Sequence, residues 1–265
     1  MGDVLVGVAK GDGLAVLTLT APPANTYSYD MMRQLDAAVL DARMDDDVHV
    51  IVLAGAGEKF FCAGADIAML DAVTPSFKYM FCLHANETLL RLEHSPKLTI
   101  AALGGHAVGG GLEVALACDL RIARKGSGRV GLPEVGLGVL PGTGGTQRLA
   151  RALGKSKSIE MMITGVLVDY DEAHRLGLVN RVFDAPDEAA FLADVMAFAR
   201  SFCPPERAAL AVGRIKRAVQ SGAEAGFLEG LAIERELQQL LFQGEDAKEG
   251  LAANLEKRKP QFSGR

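Results

Sequence analysis

Two glutamates stand beside glycine-rich runs. Glu113 closes Gly104-Gly105-His106-Ala107-Val108-Gly109-Gly110-Gly111-Leu112-Glu113, and Glu134 lies within Val130-Gly131-Leu132-Pro133-Glu134-Val135-Gly136-Leu137-Gly138. Two carboxyls can hold one water between them and move its protons. Glycines bring backbone N–H groups close to a ligand, because no Cβ intervenes. This combination predicts a site that adds water to, or removes it from, a polarised carbonyl compound.

Such a site needs donors aimed at the carbonyl oxygen. The apolar run 98–103 reads as a strand leading into the first glycine cluster. Gly109-Gly110-Gly111 then opens a helix over 112–117. The first N–H groups of a helix have no internal partner and carry the positive end of its dipole. The Gly110 N–H is therefore a candidate donor to a developing oxyanion. A second candidate is Ala65, which follows the flexible Gly64 in Phe60-Phe61-Cys62-Ala63-Gly64-Ala65-Asp66, just after the apolar strand 48–53. Two such donors form an oxyanion hole, each giving roughly 10²–10³ in rate.

The elements around these loops alternate. Residues 4–9 and 14–20 read as a β-hairpin about Gly11-Asp12-Gly13. Ser28 caps a helix carried by Met31, Met32, Leu35, Val39 and Ala42. A helical stretch covers about 76–94, and a strand over 119–123 precedes the second cluster. Strand, glycine loop and helix thus recur through the first ~180 residues, predicting an α/β fold with mostly parallel connections. Beyond that, helices are expected at 187–202, 204–221, 224–242 and 245–258. The division expected is an α/β core over 1–200 and a helical subdomain over 201–265.

The bulk numbers bound the class of protein. At 265 residues, 49% hydrophobic and 23% charged, the chain is predicted to be globular, with one or two domains. A net charge of −5 without a long basic run argues against nucleic acid. Apolar runs are short or broken by glycine, so no membrane partner is expected, and the N-terminus lacks the pattern of a secretion signal. Cys62, Cys82, Cys118 and Cys203 form no C-x-x-C pair and read as reduced thiols of an intracellular protein. Cys62 reads as a packing residue, having no accompanying His or Asn pattern, and His106 as structural. The five histidines show no metal-ligand spacing, so no metal is expected. Pro141–Thr146 is glycine-rich but lacks the Gly-Lys-Ser/Thr of a P-loop.

The loops also resemble a known family. Phe61-Cys62-Ala63-Gly64-Ala65-Asp66-Ile67, Gly109-Gly110-Gly111-Leu112-Glu113 and Leu132–Gly138 with Pro141–Leu149 resemble, in order, three motifs of the enoyl-CoA hydratase/isomerase (crotonase) superfamily. Lys248–Leu251 through Glu256–Pro260 resembles its C-terminus, so the likeness spans nearly the whole chain. The resemblance implies a crotonase fold, a spiral of repeated ββα units with a C-terminal helical part. It implies that Ala65 and Gly110 polarise the thioester of an acyl-CoA, that Glu113 is the main base toward water, and that Glu134 delivers the proton to the α-carbon. It implies further acyl-CoA contacts from Ala63, Asp66, Ile67 and Lys257. No separate cofactor is implied, since CoA is part of the substrate. The family usually forms homotrimers or homohexamers, and the expected location is the cytoplasm, or an organelle matrix if the chain is a processed form.

Having glutamate at both positions favours hydration of a 2-enoyl-CoA to a 3-hydroxyacyl-CoA. The alternatives are double-bond isomerisation, dehydration of a branched or dicarboxylic 3-hydroxyacyl-CoA, or a non-catalytic acyl-CoA- or RNA-binding relative. Two departures from the pattern are Asn254, where relatives carry an aromatic residue, and Ala21-Pro22-Pro23, which lacks a basic residue. Candidates for contact with the acyl group are Met69, Leu70, Phe77, Met80, Phe81 and Leu140.

Overall fold

The computed structural model describes residues 3–265. The chain opens with the expected hairpin, β1 (Val6–Gly11) and β2 (Leu14–Leu19), followed by helix α1 (Tyr29–Met44). The Ser28 side chain accepts from the Met31 N–H and so caps α1. Next come β3 (Val50–Gly55), β4 (Phe60–Cys62), α2 (Ile67–Ala72) and α3 (Pro75–Glu93). The pattern repeats as β5 (Leu98–Leu103), β6 (His106–Val108) and α4 (Gly110–Leu116). It repeats again as β7 (Leu120–Arg124), β8 (Arg129–Gly131), a 3-10 turn over Glu134–Leu137 and helix α5 (Gly145–Leu153). Helix α6 (Lys155–Thr164), β9 (Val168–Asp169), α7 (Tyr170–Arg175) and β10 (Arg181–Phe183) complete the α/β part. Four helices follow: α8 (Glu188–Arg200), α9 (Ala209–Glu224), α10 (Phe227–Phe242) and α11 (Glu245–Glu256).

Each ββα repeat splits its strands between two sheets. The six-stranded sheet has the order β1-β2-β3-β5-β7-β10, with only the β1–β2 hairpin antiparallel. The four-stranded sheet has the order β4-β6-β8-β9, its first three strands parallel. Side chains alternate across the large sheet, and both faces of its central strands β3 and β5 are buried. Ile51, Leu53, Ala101 and Leu103 enter the core shared with the small sheet. Val50, Val52, Leu98 and Ile100 enter a second core with Phe191, Val195 and Ala199 of α8. That double burial explains why these strands read as unbroken apolar runs, each Leu or Ile contributing about 2 kcal/mol.

Strands β4, β6, β8 and β9 were not legible as strands. They are two or three residues long, too short to register a period of two. They matter most for the site, because the three glycine loops leave their ends. A buried ion pair fixes the C-terminal helices to this frame: Lys216 of α9 meets Asp119 at 2.9 Å, and Asp119 also accepts from Thr99. No described helix is long and apolar enough to cross a membrane.

Candidate active site

Parallel strands β4, β6 and β8 lie side by side, so the segments after their carboxyl ends converge, as in open α/β sheets generally. The first is Ala63-Gly64-Ala65, the second Gly109-Gly110, the third Pro133-Glu134. They wall a cavity of about 580 Å³ that also takes in Glu113 and Thr143.

The first two segments are in close contact. Gly64 has a φ of +93°, and a Cβ there would lie 3.0 Å from the Gly110 nitrogen. Gly110 itself has no room for a side chain, because the Tyr27 hydroxyl occupies that space. The Ala65 and Gly110 N–H groups have no acceptor among the described residues, whereas their neighbours Ala63, Asp66 and Gly109 donate to Ala24, Tyr27 and Gly131. Two unengaged donors therefore stand on adjoining loops at the cavity wall.

Glu113 lies in the first turn of α4, a helix buried along its whole length, and is itself 2% exposed. Its Oε1 accepts from the Thr143 N–H at 2.8 Å and the Gly145 N–H at 2.7 Å. The Thr143 hydroxyl donates to Oε2 and lies 3.1 Å from the Tyr27 hydroxyl. Gly145 begins α5, whose N-cap Gly144 offers no side-chain cap. The Glu113 carboxyl supplies the missing acceptor from another element and sits at the positive end of the α5 dipole. The Pro141–Thr146 loop thus cradles a carboxylate of the same chain.

Glu134 is held differently. It starts the 3-10 turn, half-buried, and a Cβ at Gly109 would lie 3.1 Å from its Oε1, placing it beside the Gly110 donor. Its Oε2 is buried with no hydrogen-bond partner among the described residues. Burial pushes its carboxyl up to about 7, with nearby Glu113 adding to the rise and its own backbone N–H and Lys78 opposing it. A carboxyl titrating there serves equally as acid or base near neutral pH.

Comparison with known proteins decides what this arrangement belongs to. The family model for enoyl-CoA hydratase/isomerase matches residues 9–265. The chain belongs to that family. A short-chain-enoyl-CoA hydratase of Clostridium acetobutylicum is 38% identical over 94% of both chains. A crotonyl-CoA hydratase of Syntrophomonas wolfei is 37% identical, covering 96% of this chain and 95% of its own. Among solved structures, an enoyl-CoA hydratase of Geobacillus kaustophilus superimposes with a TM-score of 0.95 at 46% identity, covering 100% of this chain and 98% of that one.

Against the family expectation, the structure sorts the candidate residues. Glu113, Glu134, Ala65, Gly110, Ala63 and Ile67 line one cavity. Asp66 does not line it: its carboxylate accepts from the Ala68 and Met69 N–H groups and caps α2. Lys257 lies exposed at the end of α11, outside the cavity lining. Of the acyl-contact candidates, Leu70 and Leu140 line the cavity, while Phe81 is buried in the core. Cys62 is fully buried and its thiol is pushed up to about 12. His106 accepts from the Arg129 N–H.

Sequence reasoning missed Tyr27, Thr143 and Lys78 in the lining. Thr143, the one hydroxyl in Pro141-Gly142-Thr143-Gly144-Gly145, carried a usable signal; Tyr27, 116 residues from its partner, carried none.

Proposed function

We propose that this chain is an enoyl-CoA hydratase, adding water reversibly to a 2-enoyl-CoA to give a 3-hydroxyacyl-CoA. The observation carrying this reading is the placement of Glu113 and Glu134 in one cavity with two unengaged backbone donors. The Ala65 and Gly110 N–H groups receive the thioester oxygen and stabilise the enolate that forms as the β-carbon is attacked. Glu113 takes a proton from the attacking water, whose oxygen bonds to the β-carbon. Glu134, in its protonated form, gives a proton to the α-carbon. Hydroxide and proton are thereby added across the double bond, and the second carboxyl regains its proton from solvent or from its partner. The names of the relatives from Clostridium and Syntrophomonas support this reading.

Assembly into a homo-oligomer is supported by α10. This 16-residue helix has no buried residue, yet it carries Phe227, Leu228, Leu240 and Phe242, all large apolar side chains exposed to solvent. Covering such a face requires a partner surface, and a second copy of the chain fits the family pattern.

The test is loss of enoyl-thioester absorbance with a panel of 2-enoyl-CoA esters, from crotonyl to long-chain and branched. Rapid loss with at least one ester is expected. Saturable binding without loss for every ester would overturn the hydratase reading.

A further inference from the structure

Apart from the two glutamates, the cavity lining holds one charged residue, Lys78 on α3. It is half-buried among exposed neighbours, and its ammonium lies 5.4 Å from the centre of the Phe81 ring. Phe81 packs in turn on Tyr27, with ring centroids 6.0 Å apart, so the cation is seated against the rigid floor of the site. No acidic side chain lies within ion-pair distance of it among the described residues, and its ammonium makes no hydrogen bond there. By contrast, Arg148, which donates to the Thr143 carbonyl beside the cavity, pairs with Glu93. An unmatched cation facing a largely apolar cavity, beside Leu70, Leu137, Val139 and Leu140, is the complement of an anion at the end of an apolar chain.

That anion must come from the substrate, whose acyl chain or CoA phosphates are the sources. Distance separates them. Lys78 lines the same cavity as Gly110 and Glu134, and the Phe81 ring beneath it packs on Tyr27, whose hydroxyl fills the space above Gly110, which sets Lys78 on the side of the reacting carbons. The first CoA phosphate is held away from the thioester by the pantetheine arm, roughly the length of four extended residues, about 14 Å.

We propose that Lys78 is a specificity-determining residue, and that the cavity takes a 2-enoyl thioester whose acyl chain ends in a carboxylate, which the Lys78 ammonium binds. This rests on the acyl-thioester reading of the site. It also explains how an anionic acyl chain is tolerated beside two glutamates: Glu113 is engaged by its three donors, burial favours the protonated form of Glu134, and Lys78 supplies the counter-charge.

The test compares the full-length enzyme with Lys78→Met, Lys78→Gln and Lys78→Arg. The probes are glutaconyl-CoA and crotonyl-CoA for turnover, and the unreactive glutaryl-CoA and butyryl-CoA for binding. The ratio of kcat/KM for the carboxylated ester to that for the plain ester is expected to fall at least tenfold in Lys78→Met and Lys78→Gln. Lys78→Arg should retain most of it. The glutaryl-over-butyryl binding preference should fall in parallel. Ratios unchanged within twofold overturn the proposal. Equal losses for both CoA esters, absent with the corresponding pantetheine thioesters, overturn it too and place Lys78 at the phosphates. If no ester turns over, the hydratase reading fails separately, and the binding preference still decides the role of Lys78.

Discussion

Glu113 and Glu134 share a cavity but live on opposite kinds of wall. On the Glu113 side, the 141–145 loop, the start of α5 and Tyr27 form a closed hydrogen-bonded network, and the carboxyl is 2% exposed. On the Glu134 side, a single 3-10 turn carries the carboxyl among exposed apolar residues, Val135, Leu137 and Val139. One of its oxygens has no hydrogen-bond partner among the described residues, and its proton affinity rises to about 7. The lesson is that one residue type takes two roles when its surroundings differ. A carboxyl fixed by donors is oriented toward a substrate, and one left unpartnered in an apolar setting keeps a proton available.

The strongest way to break this contrast is to remove each carboxylate's chemistry while keeping its shape. Glu113→Gln and Glu134→Gln are each expected to cut turnover by ~10²–10⁴, the range for a positioned acid or base. Steady-state rates with a reactive 2-enoyl-CoA decide it. Near wild-type turnover in either variant removes that residue from the mechanism.

Stability should then separate the two walls. Glu113→Ala strands the Thr143 and Gly145 N–H groups, so unfolding free energy should drop by about 2–4 kcal/mol. Glu134→Ala strands nothing and should be neutral, or stabilising by about 1 kcal/mol at pH 8, where it removes a charge poorly solvated by its surroundings. Denaturant melts of the two variants test this. Equal losses would mean that Glu134 is held by contacts as strong as those on Glu113.

Proton affinity sharpens the contrast further. With Glu134 needed in its protonated form, kcat/KM for hydration should decline about tenfold per pH unit above pH ~7. The folded-state value lies above the unfolded one, so between about pH 4.5 and 7 the native state binds the extra proton. Stability from this group is therefore full at low pH and is lost as pH rises through about 7, by at most about 3 kcal/mol. Glu188, also raised to about 7 by burial, adds to the same window. The wild-type minus Glu134→Gln difference in pH-dependent stability isolates Glu134. A rate profile flat to pH 9 would assign the acid elsewhere.

The smallest expected effect concerns Asp66. As a helix cap its change to alanine should cost about 1 kcal/mol in stability and leave KM within threefold. A KM rise of tenfold or more with unchanged stability would return Asp66 to the substrate.

Much of the frame was readable from residue order. The Asp12-Gly13 hairpin, the Ser28 cap, the apolar strands and the four terminal helices all follow local rules of turn chemistry and periodicity. Expected ends differ from observed ones mainly after Pro204-Pro205, where α9 starts at Ala209 rather than 204. The glycine clusters flanking Glu113 and Glu134 likewise marked where backbone must meet ligand.

What residue order alone determined, then, was which groups are chemical and which segments are strand, turn or helix. These are properties set within a few residues, by side-chain type and backbone freedom. Tertiary structure decided the rest. It built the small sheet from strands too short to register as patterns, and so aligned Ala65 with Gly110. It set Glu113 against the start of α5, 32 residues onward, and left Glu134 without a partner for one oxygen. It turned Asp66 into a cap and Lys78 into the wall of a cavity. Hydrogen-bond partners and burial are set by segments distant in sequence, and they decide which of two identical side chains is anchored and which one keeps its proton.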